Sequence, residues 1–82
     1  MTDDTEWTPC GLGHWRRYRG MRCVVTRTYR NDLSEGFMPE VDATWRDRGL
    51  PVLRGTRALS LTSAQSWCER WAEAVEREVT RG

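Results

Sequence analysis

The sequence has no lysine and no isoleucine, one phenylalanine and one histidine, so all thirteen basic residues are arginine. Arginine, glycine and alanine have GC-rich codons, whereas lysine and isoleucine have AT-rich ones, so part of the arginine count reflects coding bias rather than selection for charge. There is no Cys-x-x-Cys pair, and Cys10, Cys23 and Cys68 are an odd, widely spaced set. Such a pattern argues against a disulfide framework and favours reduced thiols, Cys23 and Cys68 in the core and Cys10 in a loop. No apolar run approaches the ~20 residues that a membrane-crossing helix needs. The start, Met1 to Glu6, is acidic and lacks both a basic region and an apolar stretch. No secretory leader is expected there, and a cytoplasmic location follows as the expectation.

What is present fits one small domain. A chain of 82 residues buries only roughly 60–65% of its unfolded surface, so each large aromatic counts. Five Trp and two Tyr supply that apolar area. The net charge of +1 conceals segregation. Residues 7–30 carry Arg16, Arg17, Arg19, Arg22, Arg27 and Arg30 and no acid, whereas residues 31–48 hold five acids against two Arg. A basic stretch interleaved with Trp15, Tyr18 and Tyr29 attracts phosphate. A dedicated nucleic-acid domain, however, has a pI above about 9, and the value here is 7.8.

Residues 1–12, with Pro9 and Gly11, read as an irregular N-terminal arm, and residues 13–82 as the folded domain. The chain is extended from His14, and a bend or bulge is expected at Gly20. Met21 to Tyr29 holds the β-branched run Val24, Val25, Thr26 and Thr28, typical of a strand. Asn31 to Gly36 is polar and turn-like. From Phe37 to Trp45 the pattern alternates, with Phe37, Val41, Ala43 and Trp45 on one side and Met38, Glu40, Asp42 and Thr44 on the other. Leu50 to Leu59 is a further strand, with Leu53, Leu59 and Leu61 sharing one face. A helix is expected from Thr62 to Val79, with Thr62 as N-cap and Gln65 completing a capping box. Its apolar stripe is Ala64, Cys68, Trp71, Ala72, Val75 and Val79, with Trp67 at the flank. The expected fold is therefore α+β, a three- or four-stranded antiparallel sheet packed against one C-terminal amphipathic helix, in the order βββα.

Chemistry-bearing residues are sparse. Cys10, His14, Cys23 and Cys68 are zinc-ligand types, but structural zinc sites draw ligands in close pairs on turns, whereas Cys23 falls in a strand and Cys68 on the apolar face of a helix. No metal or other cofactor is expected. Cys10 and His14 are four apart, yet no orienting group or nucleophile elbow accompanies them. Glu40 and Asp42, two apart on one strand face, are expected to pair across the sheet with Arg22 or Arg54. The chain is thus expected to be non-enzymatic.

The run Tyr18-Arg19-Gly20-Met21-Arg22, followed by Leu53-Arg54-Gly55-Thr56 and Leu61-Thr62-Ser63-Ala64-Gln65, resembles the spacing of AP2-type DNA-binding domains. The resemblance implies a three-stranded sheet on a helix that reads DNA with Arg and Trp on its strands. By position, Arg19, Arg22 and Arg54 would be the contacts. The intervening strand, with Glu40 and Asp42, departs from that pattern. The same compact plan is similar to small phage and mobile-element accessory proteins, anti-CRISPR inhibitors among them, which implies masking or tethering of a larger protein. Trp and Arg dominate protein-interface hot spots. Protein binding is accordingly the first expectation and DNA binding the alternative, with Trp7, Trp15, Arg16, Arg17, Tyr18, Arg19, Arg22 and Arg54 as the candidate binding residues.

Overall fold

The computed structural model describes residues 6–81. Five strands, β1 (Thr8–Cys10), β2 (Gly13–Tyr18), β3 (Met21–Tyr29), β4 (Glu35–Asp42) and β5 (Val52–Arg54), precede one long helix, α1 (Leu61–Arg81). The strands pair in chain order as a single antiparallel sheet, β1-β2-β3-β4-β5. The α+β plan with a C-terminal helix is as expected, with two differences at the sheet edges. The expected irregular arm contains β1, whose Cys10 pairs with Gly13 across a two-residue loop opened by Gly11 at φ +56°. The expected strand from Leu50 to Leu59 shrinks to three residues and one isolated bridge, Phe37 to Ala58. Leu59 is 83% exposed instead of sharing Leu53's inward face.

Tight turns set the register. Tyr18 pairs with Met21, so Arg19 and Gly20 are the two loop residues, both at positive φ (+56° and +78°). That is the backbone a two-residue I′ hairpin requires, matching the twist of the strands it joins. Gly20 adopts it freely; Arg19 does not. Its side chain is tied by ion pairs to Glu76 and Glu73 on α1, which offset local strain.

Because side chains alternate along a strand, this register divides the sheet into two faces. Met21, Cys23 and Val25 of β3, and Phe37 and Val41 of β4, are buried against α1, joined by Ala43. The helix answers with Ala64, Cys68 and Ala72, spaced by four and fully buried. These small side chains let the helix lie close to the sheet. Cys68 Sγ reaches the carbonyl oxygens of Val24 and Glu40 at 3.6 and 3.5 Å. Its hydrogen bond with Cys23, together with burial, pushes the Cys23 thiol far above its ordinary value, as expected of a core thiol. Gly55 marks another close approach: a Cβ there would lie 2.6 Å from the Trp67 ring.

The expected helix stripe is rotated. Its centre is the alanine and cysteine line, with Trp67 and Val75 packed beside it, while Trp71 is 46% exposed. An indole on the seam would force apart the surfaces that Ala72 and Cys68 bring together. The helix also begins one residue early. Ser60, not Thr62, is the cap, its hydroxyl accepting from the Ser63 backbone N–H at 3.1 Å.

Candidate binding face of the sheet

The alternation that buries β3 places Trp15, Arg17, Arg22, Val24, Met38, Glu40 and Arg54 on the face away from the helix. Trp15 is opposite Val24, Arg17 opposite Arg22, Val24 opposite Glu40, and Glu40 opposite Arg54. Trp45 joins them from outside the ladder. Strand β4 stops at Asp42, which accepts from the Thr44 backbone N–H at 3.0 Å and from the Thr44 hydroxyl, capping a single 3-10 turn over Ala43–Trp45. This turn breaks the two-residue period, so Ala43 remains buried while Trp45 leaves the inward side where alternation placed it.

Trp45 meets Trp15 with ring centroids 6.4 Å apart and planes tilted by 55°. The guanidinium carbons of Arg17 and Arg22 lie 4.9 and 5.6 Å from the Trp45 centroid. A tilted aromatic pair with cations over one ring is a favourable arrangement, and Trp45 retains 43% exposure within it. Beside this cluster, a shallow hollow of about 210 Å³ is lined by Val24, Thr26, Met38, Pro39, Glu40 and Arg54. A smaller one, about 130 Å³, lies next to Trp15 and reaches His14 and Cys10.

The carboxylates on this face are engaged. Glu40 holds Arg54 Nε at 2.8 Å, the cross-sheet pairing expected from the sequence. Asp42 sits opposite Arg22 in register while capping the turn. Among the described residues, no group of three or more His, Cys, Asp or Glu side chains is close enough to hold a metal. Cys10 is exposed in β1, whereas Cys23 and Cys68 are in the core.

The other candidate residues lie on the helix side and make intramolecular contacts. Trp7, expected outside the core, packs against it and donates its indole N–H to Glu69 at 3.3 Å. Arg16 pairs with the same Glu69. Tyr18 also packs on the core, with the Arg16 and Arg19 guanidinium carbons 4.4 and 5.3 Å from its ring centre. Arg19 pairs with Glu76 at 2.9 Å, and Arg46 joins the same carboxylate at 2.8 Å. Glu76 is held below the ordinary carboxylate range, first by the Arg46 hydrogen bond and further by the charge of Arg19. Together these pairs latch the β2–β3 hairpin to the helix.

The eight candidates therefore separate into two sets. Trp15, Arg17, Arg22 and Arg54 share the outward face; Trp7, Arg16, Tyr18 and Arg19 fasten the inward one. Trp45 is the functional candidate that strand alternation hid, and the Asp42-x-Thr44 capping pattern was the signal that could have revealed it.

The architecture defines the class: among the described residues, an antiparallel sheet covered on one face by a C-terminal helix and open on the other. No protein-family model, curated protein or solved structure matches the chain. No helix of the described residues is long and apolar enough to cross a membrane.

Proposed function

We propose that the chain is a non-enzymatic binding module that docks a larger protein on the open face of its sheet. The observation that carries this reading is the Trp15–Trp45 pair, with Trp45 half-exposed and Trp15 partly so, flanked by Arg17 and Arg22 on the sheet face. Trp and Arg are the residue types that most often dominate protein-interface energies, because each combines a large contact area with a polar group. The surrounding Val24 and Met38 supply an apolar centre, and the Glu40–Arg54 pair a polar rim. Binding here masks or tethers the partner without chemistry.

The DNA alternative draws less support from this geometry. Arg19 and Arg54, two of the three positions singled out by the AP2-type resemblance, are committed to Glu76 and Glu40. Contact with a duplex would set the Glu40 and Asp42 carboxylates against phosphates, which is costly for like charges.

Site-specific photocrosslinking tests the reading. A benzophenone side chain at position 38, on the open face, is expected to crosslink one discrete protein partner in cells that express the chain. Trp15→Ala/Trp45→Ala should abolish that product while leaving the circular dichroism spectrum native, at a modest cost in melting temperature. Crosslinking to nucleic acid, or a protein product that survives the double substitution, would overturn the assignment.

A further inference from the structure

The helix carries a second surface, away from the open sheet face. Trp71 stands on it as a half-exposed ridge, its ring 5.8 Å from that of Trp67. On one side of the ring lies an open apolar hollow of about 380 Å³, walled by Leu50, Pro51, Leu53, Val75 and Val79. On the other lies a hollow of about 300 Å³ formed with Trp67, Arg70 and Ala74. A protruding indole and an apolar recess thus share one surface, the requirement for a self-complementary two-fold contact.

The charges follow the same symmetry. Arg70 lies four residues before Ala74 and Glu78 four after it, so all three occupy one ridge of the helix. Antiparallel pairing of two such helices about Ala74 sets Arg70 of each copy opposite Glu78 of the other. It also sets Trp71 level with position 77 of the other helix, midway between Val75 and Val79 and about 3 Å along the axis from each, at 1.5 Å rise per residue. A single placement therefore brings the indole to the apolar recess and satisfies both charge pairs. Ala74, the smallest side chain on the ridge, falls at the crossing point, where close approach is needed. Among the described residues Glu78 pairs with Arg81, at 3.3 Å, and both side chains are more than 70% exposed. Such an exposed pair is weak and easily exchanged.

We propose that this helix face binds a second copy of the chain, antiparallel and two-fold about Ala74, with Trp71 in the recess and reciprocal Arg70–Glu78 pairs. The open sheet faces remain uncovered, so a dimer presents two docking surfaces.

Sedimentation velocity of the full chain over a concentration series tests this. The parent should sediment as a dimer at high-micromolar concentration. Glu78→Arg, at an exposed position, sets Arg against Arg and should raise the dissociation constant at least about tenfold. Arg70→Glu/Glu78→Arg should restore the dimer, and Trp71→Ala should weaken it with a native circular dichroism spectrum. A parent that remains monomeric overturns the proposal. So does a dimer that Glu78→Arg leaves intact, or one that the double reversal fails to restore.

Discussion

The two faces of the sheet are built from the same residue types and use them in opposite ways. On strand β2, Arg16 and Arg17 are neighbours, yet Arg16 points to the helix and neutralises Glu69, while Arg17 lies over Trp45 on the open side. Trp7 packs on the core; Trp15, one strand away, meets Trp45 on the surface. Composition does not separate these roles. Parity along the strand does, because one step along the chain moves a side chain from one face to the other. Arginine enrichment alone is therefore a poor guide to a binding site: part of it is structural, spent on fastening a short hairpin to a long helix.

This contrast can be broken most sharply on the buried side. Met21, the first residue of β3, is fully buried on the covered face. Met21→Ala should cost about 2–5 kcal/mol, close to the whole stability of a small domain, and chemical denaturation would measure it. A loss below about 1 kcal/mol would mean that the two faces are not as different as their packing indicates.

The latch offers a second test through pH. Glu76 has a depressed pKa in the folded chain, caused first by the Arg46 hydrogen bond. Its contribution is present above the unfolded-state value and is lost as pH falls through the folded one. The melting temperature should drop on acidification through and below the ordinary carboxylate range, and Glu76→Gln should flatten that decline. An identical pH profile in the variant would show that the latch does not hold the hairpin.

A smaller effect is expected at Trp71. With the ring half exposed, Trp71→Ala should cost only about 1 kcal/mol, well short of the penalty for emptying a core site. The melting curve decides. A collapse of the fold would return Trp71 to the helix seam, where its position in the apolar stripe had placed it.

Much of this arrangement was legible from residue pattern. The β-branched run of β3 and the spacing of Ala64, Cys68 and Ala72 announced a strand and a helix that would face each other. The Glu40–Arg54 pair followed from opposite charges on adjacent strands. What escaped was governed by packing or local capping. A helical stripe defined by apolarity alone cannot distinguish Ala72, which fits beneath the helix, from Trp71, which does not. Alternation cannot anticipate a strand halted by Asp42 and converted into a 3-10 turn. Strand β1 lacks any apolar pattern of its own, and its pairing depends on the Gly11 turn and on β2.

The central claim is that the open face is a protein-docking surface rather than a DNA-reading one, and a salt titration of duplex DNA binding by fluorescence anisotropy tests it most directly. The account predicts no appreciable affinity at physiological salt, and no meaningful gain from Glu40→Gln/Asp42→Asn. Three phosphate contacts by Arg17, Arg22 and Arg54 would instead give a log–log salt slope of about −2.7. Micromolar or tighter binding with that slope, strengthened when the two carboxylates are neutralised, would contradict it.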